Sequence, residues 1–240
     1  MAPVSELSGR SALVTGASRG IGFAVANQLR QGGARVAMVA RGEAELSGAA
    51  EQIGGVALAA DVSQRQAIER LARSFASVFD SAAPDYLINA AGAFSMARLV
   101  NTTPEDFDRH LGVNLRAPFL LMRAFLPSMI ERGSGHIVTV GSIAGRQAFP
   151  SNGAYSASKF GVRGLHAVLD LELKGTGVRS TLVEPAATDT TLWDAVDREE
   201  NAGLPEPGTM LEVGAVADAV LYAITRPERT GIPVISLERA

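Results

Sequence analysis

The sequence predicts an alternating α/β fold, a parallel sheet of about seven strands covered by helices on both faces. Three observations predict it. Short, nearly continuous apolar runs recur along the chain, as strands buried on both sides require. Helical patterns separate most of them, and parallel strands need such crossovers. A glycine-rich turn stands between the first strand and the first helix.

The elements follow in order. Ala12-Leu13-Val14-Thr15 is the first strand. Ile21, Val25 and Leu29, spaced i, i+4 and i+8, mark one face of a helix that Gly32-Gly33 ends. Val36 to Ala40 is a second strand and Val56 to Ala60 a third. Ile68, Leu71, Phe75 and Val78 mark the next helix, and Tyr86-Leu87-Ile88 a fourth strand. A long helical region runs from Pro104 to about Arg132, followed by a strand at Ile137 to Val140. A helix spans about Ala154 to Lys174, where Lys174 suits the negative C-terminal end. Val178 to Val183 is the sixth strand, a helix spans about Glu212 to Thr225, and Pro233-Val234-Ile235 is the last strand. Residues 1–240 read as one domain, without internal repeat or linker. Residues 188–211 lack periodicity, and a loop that long is commonly functional.

Composition excludes several function classes. Hydrophobic residues make up 47% and charged residues 20%, a globular balance. Without cysteine there is no disulfide and no thiolate metal site, and His110, His136 and His166 match no ligand or nucleophile pattern, so no metal is expected. The net charge of -3 argues against nucleic-acid binding. No apolar run reaches the ~20 residues of a membrane span. Met1 to Glu6 lack the basic and apolar regions of a signal peptide, so a cytoplasmic protein is expected. Of 22 basic residues only Lys159 and Lys174 are lysines, leaving 20 arginines. Each lysine therefore invites a reason.

Gly16, Gly20 and Gly22 lie in the turn Thr15-Gly16-Ala17-Ser18-Arg19-Gly20-Ile21-Gly22. Glycines there permit a tight turn, close approach of backbone to a pyrophosphate, and close packing of the helix. The helix start offers free N–H groups and a positive dipole end to the anion.

With these residues the chain resembles the short-chain dehydrogenases/reductases. The turn from Thr15 to Gly22 is similar to that family's cofactor loop, which implies contacts from Gly16, Ser18, Arg19, Gly20, Ile21 and Gly22. Asp61-Val62 resembles its adenine-contacting pair, and Asn89-Ala90-Ala91-Gly92 its N-A-G segment beside the cofactor. Asn114 resembles the family's helix asparagine, Ser142 its serine, and Tyr155-Ser156-Ala157-Ser158-Lys159 its Y-x-x-x-K element. Pro185 and Thr190 resemble the ends of its P-G-x-x-x-T segment, with Thr188 between them and Ala186 in place of the glycine. The likeness runs from about residue 10 to 190 in the family's order, and implies a Rossmann-type, doubly wound single domain.

Tyr155 and Lys159 are i and i+4 on a helix and share a face. A tyrosine of ordinary pKa, about 10, is a weak proton donor at neutral pH, and a nearby ammonium is expected to lower it. Ser142 ends the fifth strand, at the sheet edge where open α/β folds bind ligands, and its hydroxyl can steady a developing alkoxide. The resemblance implies the same roles: Tyr155 as general acid, Lys159 as modulator and ribose contact, Ser142 as oxygen anchor, and Asn114 as part of a water-linked relay to Lys159. Taken singly, Tyr155 reads as a core aromatic, Lys159 as a solvated helix residue, Ser142 as a helix cap and Asn114 as a kink. Their order and spacing favour catalysis.

An acidic residue at the end of the second strand would bind the adenosine ribose and favour NAD. Ala40 stands there, followed by Arg41, and Arg19 lies inside the glycine turn. In the family that the chain resembles, basic residues at these two places suit the 2′-phosphate of NADP(H), and guanidinium groups pair well with phosphate oxygens.

The expected reaction is reversible reduction of a ketone or aldehyde to an alcohol. Phe94, Ile143, Ala144, Phe149, Leu192 and Trp193 lie in segments expected to border the substrate, and most are apolar, which suggests a moderately hydrophobic carbonyl compound. Residues 188–211 would form the lid that family members close over substrate. Its Asp189, Asp194, Asp197, Glu199 and Glu200 would repel a large anionic acyl carrier. Ser236 to Ala240 also lacks the D-G-G-type ending of oxoacyl reductases, so a 3-oxoacyl thioester reductase is the lesser reading. The others are a non-catalytic NADP-binding regulator and an epimerase or dehydratase. The helices at 104–132 and 154–174 carry more apolar positions than one buried face requires, among them Phe119, Leu120, Leu121, Met122, Phe125 and Leu126 on the first. The resemblance makes them a four-helix interface, so a homodimer or homotetramer is expected.

Overall fold

The structure, a computed structural model, describes residues 7–194, 196 and 204–240. Met1 to Glu6, on which the cytoplasmic expectation rested, and Asp197, Glu199 and Glu200 of the expected lid lie outside the described residues.

Seven parallel strands form one sheet in the order β3-β2-β1-β4-β5-β6-β7. They are β1 (Ser11–Thr15), β2 (Arg35–Val39), β3 (Val56–Ala57), β4 (Tyr86–Asn89), β5 (Gly135–Val140), β6 (Val178–Pro185) and β7 (Val234–Leu237). Among the described residues seven α-helices complete the fold: α1 (Gly20–Gln31), α2 (Glu43–Ile53), α3 (Arg65–Phe79), α4 (Pro104–Leu111), α5 (Ala117–Arg132), α6 (Gly153–Glu172) and α7 (Val213–Ile224). This is the Rossmann-like single domain expected.

Two cores, one on each face, hold the layers together. Val25 and Leu29 of α1, Leu46 of α2 and Val216 and Val220 of α7 cluster with Val14, Val36, Ile88 and Val138. Phe75 of α3, Leu121 and Phe125 of α5 and Leu169 of α6 cluster with Leu13, Leu87 and Ile137 on the opposite face. Adjacent strand residues thus point to opposite cores, as the pleat requires. Burying a side chain such as Leu13, Leu29 or Phe75 contributes about 1.5–3 kcal/mol.

Helix α2 has no counterpart in the sequence reading. Its buried face is only Leu46, Ala49 and Ala50, too sparse for a visible period. The single long helix expected at 104–132 is two helices joined by a π-helical turn at Gly112–Arg116, with Asn114 inside it. Thr103 caps α4 by accepting from the Asp106 N–H. Strand β3 is shorter than expected, yet the N–H groups of Leu58 and Ala60 still donate to Met38 and Ala40. Residues 188–211 contain short 3-10 turns at Thr191–Trp193 and Pro207–Thr209, and Thr188 bridges to Leu211.

The order reverses between β1 and β4, so the connections leaving these neighbours diverge to opposite faces. A crevice opens there at the carboxyl ends of the strands. The glycine turn after β1, residues 89–92 after β4 and Ser142 after β5 all lie along this edge.

Candidate active site

The first helix begins almost on top of its own strand. A Cβ on Gly22 would stand 2.2 Å from the Gly16 carbonyl oxygen, and one on Gly16 2.8 Å from Ala91 Cα. Thr15 Oγ1 accepts from the N–H groups of Ala90 and Ala91, both at 3.1 Å, fastening the turn to the segment after β4. Arg19 occupies the cap position of α1 but makes no side-chain cap bond, and no acidic residue stands in the first turn. The N–H groups of Gly20, Ile21 and Gly22 therefore remain available to an anion, a donor set that fits a pyrophosphate. Thr190 lies against Gly20, so the segment after β6 returns across the turn. Ser18 is half-buried beside it.

Asn89 Nδ2 donates to Thr139 Oγ1 at 3.2 Å, and its Oδ1 is buried without a partner. An orphaned acceptor beside the crevice is unusual in a finished interior. Asp61 Oδ1 accepts from the Ser63 N–H and hydroxyl, holding the turn before α3, while Val62 is buried. The Ala17 N–H donates to Val39, bringing the glycine turn beside the end of β2 and thus near Arg41. Arg19 and Arg41 are exposed, and neither has an ion-pair partner among the described residues. Gly92 is exposed near the Asn114 amide, Pro185 ends β6, and Thr188 Oγ1 donates to the Ala186 carbonyl.

The proton-carrying groups meet at the ends of β5 and α6. Ser142 Oγ accepts from the Ala144 N–H at 3.1 Å, and its hydroxyl lies near enough to the Tyr155 side chain to favour the phenolate. Ser142 is thus a cap and a neighbour of Tyr155 at once. Lys159 is buried, with Nζ 5.6 Å from the Tyr155 ring centroid. Nζ donates to the Val140 carbonyl at 2.9 Å. Burial pushes Lys159 down to about 8 and holds Tyr155 above the ordinary phenol range, while nearby Ser142 pulls Tyr155 the other way. This corrects one expectation: desolvation of the phenol, rather than an ammonium beside it, governs Tyr155 here.

Asn114 is buried in the π-helical turn and every atom of its amide is engaged. Oδ1 accepts from the Ala93 N–H at 2.8 Å, and Nδ2 donates to Ala93 O and Ser158 Oγ, both at 2.9 Å. Its side chain ties the helix to the segment after β4 and does not reach Lys159.

Phe94 packs edge-on against Tyr155 and against Trp193, each with centroids 4.9 Å apart. Trp193 Nε1 donates to Thr188 O at 3.0 Å. Phe149 and Leu192 are exposed, Ile143 is half-buried and Ala144 is buried. His110 is buried with its ring 6.3 Å from that of Tyr155. Its Nε2 accepts from the Ser95 N–H, which leaves Nδ1–H to donate to Asp106 O. His136 and His166 are also buried, each with one ring nitrogen unpaired. Val140 and Ser158 carry no catalytic signal of their own in the sequence, because a backbone acceptor and a packing partner have no motif. No group of three or more His, Asp or Glu side chains able to hold a metal occurs among the described residues.

A family model described as short chain dehydrogenase matches residues 10–201. Glycine betaine reductase ATRR of Emericella nidulans is 36% identical over 98% of this chain, which spans only 19% of that protein's length. A crystal structure of a metagenomic short-chain oxidoreductase in complex with NADP is similar with a TM-score of 0.84 and 34% identity, covering 98% of this chain and 99% of that one. A 3-ketoacyl-(acyl-carrier-protein) reductase from Brucella melitensis, complexed with NADH, has a TM-score of 0.87 at 28% identity, covering 97% and 98%.

Proposed function

The chain belongs to the short-chain dehydrogenase family and is an oxidoreductase, and on that premise we propose that it reduces ketones or aldehydes reversibly with NADP(H), using Ser142, Tyr155 and Lys159. The observation that carries this reading is the closeness of Ser142 and a buried Lys159 to Tyr155, at the end of the sheet that also bears the uncapped α1.

The family uses nicotinamide cofactors, and the residues around the crevice fit one. The first N–H groups of α1 would hold the pyrophosphate, with Gly16 allowing its approach and Ser18 beside it. Asp61 and Val62 would face the adenine, with Asn89, Ala90 and Gly92 along the crevice. Pro185, Thr188 and Thr190 would close over it, and Tyr155 and Lys159 would approach the ribose. Arg19 and Arg41 carry free guanidinium groups on the adenosine side, which favours NADP(H) over NAD(H). When bound, the nicotinamide supplies the hydride.

The chain's own groups manage the proton. Ser142 would donate to the substrate oxygen and hold it at Tyr155. Because burial keeps Tyr155 above the ordinary range, the phenol retains its proton through neutral pH and gives it to the oxygen as charge develops there. The Lys159 ammonium, close to the ring, stabilises the phenolate that remains.

Phe94, Phe149, Leu192 and Trp193 make the approach apolar and suit an uncharged, moderately hydrophobic carbonyl compound. The Brucella neighbour's name supports a second reading, a 3-oxoacyl thioester substrate. The exposed Asp189 and Asp194 oppose an acidic carrier. NADPH oxidation measured over ketones, quinones, sugars and acyl thioesters tests both. Uncharged ketones should turn over fastest, and no turnover with any carbonyl would favour a non-catalytic NADP-binding role.

A further inference from the structure

Beneath the reacting groups lies a carboxylate that the chemistry above does not use. Glu184 stands next to last in β6 and is 1% exposed. Its side-chain stem lies against Gly141, the residue before Ser142. Both of its oxygens accept from Arg163 Nη1 at 2.6 Å. Arg163 follows Lys159 by one turn of α6 and Tyr155 by two. Oε2 is also 4.0 Å from Nε of Arg146, four residues beyond Ser142, and Arg146 continues to Glu238 at 2.5 Å.

One buried carboxylate therefore faces both segments that carry the reacting groups. These segments already touch, since a Cβ on Gly145 would lie 2.8 Å from the Lys159 carbonyl oxygen. A contact that tight transmits displacement, because packed backbone cannot absorb it by side-chain rotation. A buried carboxylate is tolerated only when paired, which ties the ion pair to one geometry. The outer arm is different. Arg146 and Glu238 have side chains 35% and 61% exposed, and such a pair is weakly held.

We propose that Glu184 is a positioning residue: through Arg163 and Arg146 it locks the Ser142 loop against α6 and so sets where the Ser142 hydroxyl meets Tyr155. This rests on the reading of Ser142, Tyr155 and Lys159 as the reaction centre.

The test compares Glu184→Gln and Glu238→Ala with wild type in three measurements. These are steady-state kinetics with NADPH and a ketone, NADPH affinity by calorimetry, and hydrogen exchange at residues 144–147. The amides of Ala144, Gly145, Arg146 and Gln147 are all bonded within the Ser142 loop, so their exchange reads its fixity without any reaction. Glu184→Gln should lower kcat about 10- to 100-fold, as displacements of about an ångström do, with KM and NADPH affinity nearly unchanged. Exchange should quicken at 144–147 while α3 stays protected. Glu238→Ala should change neither kcat nor exchange. Unaltered kcat in Glu184→Gln overturns the proposal, and so does a fall in kcat with unaltered exchange. If wild type reduces no carbonyl, the reaction reading fails by itself, and exchange alone then decides whether Glu184 fixes the loop. Should Glu184→Gln not fold, Arg163→Gln removes the same pair from the half-exposed side and should give the same localised exchange.

Discussion

Lys159 folds at a cost that its chemistry would justify. It is charged below about 8 in the folded protein, while its ordinary value is 10.5. Unfolding therefore takes up a proton between these pH values, and the folded state gains stability as pH rises through that window. Below about 8 the penalty is fully present, on the order of 3 kcal/mol from the shift. Lys159→Met should abolish turnover yet raise stability at pH 7 by up to about 3 kcal/mol, with the gain fading towards pH 10.5. Denaturant unfolding of both proteins across pH measures this; a variant less stable at every pH would contradict the assigned burial cost. The same titration predicts that ketone reduction falls above about pH 8, as the ammonium near Tyr155 discharges. Arg19 and Arg41 support a second prediction at this scale. Two charge-assisted contacts to a 2′-phosphate, discounted for exposure, give about 10- to 10³-fold preference for NADPH over NADH. Ala40→Asp with Arg41→Ala should shift that preference towards NADH, and cofactor titrations read it directly. Equal wild-type affinities would make these arginines ordinary surface residues. Tyr155, Lys159, Ser142 and the glycines were legible in the sequence because chemistry fixes their type and spacing. Glu184, Arg163 and the Val140 carbonyl were not, since their partners lie 19 to 21 positions away and only folding brings them together.

At the scale of elements, the strands were legible because burial on both faces leaves unbroken apolar runs. Helix α2 escaped because it buries little more than Leu46 and two alanines. The π-helical turn escaped for another reason. One extra residue per turn is invisible to a pattern that continues on either side of it, and the amide of Asn114 appears as a staple only beside Ala93 and Ser158. Asn114→Ala should therefore loosen the joint between α4 and α5 and cost about 1–3 kcal/mol, as buried partners left unpaired do. Thermal unfolding checks this, and a stability change near zero would mean that the staple is dispensable. The glycine turn makes a sharper case. Gly22→Ala would set a methyl 2.2 Å from a backbone oxygen that has nowhere to retreat, because Gly16 is itself wedged against Ala91. Strain of about 1–3 kcal/mol is expected, with NADPH affinity reduced at least about tenfold. Calorimetric binding that matches wild type would show that α1 can shift without disturbing its N-terminal donors.

For the molecule as a whole, the apolar excess on the two long helices divides in an informative way. Leu121, Met122, Phe125 and Leu169 fill the core, whereas Phe119, Phe160, Val168 and Leu171 remain exposed, Leu171 at 63%. Exposed apolar side chains on neighbouring helices favour association, and light scattering at micromolar concentration should find at least a dimer. A monomer would leave that surface unexplained. Phe160→Glu with Leu171→Glu should dissociate the assembly while leaving the folded domain intact. The central claim concerns the meeting of β5 and α6, where three side chains from two segments would form one proton-transferring unit. Its most direct test is the rate of NADPH oxidation by a ketone in wild type and Tyr155→Phe, with NADPH affinity measured for both. Removing only the hydroxyl should lower the rate by about two to four orders of magnitude and leave NADPH affinity nearly unchanged. A Tyr155→Phe protein that consumes NADPH at close to the wild-type rate would contradict the mechanism outright.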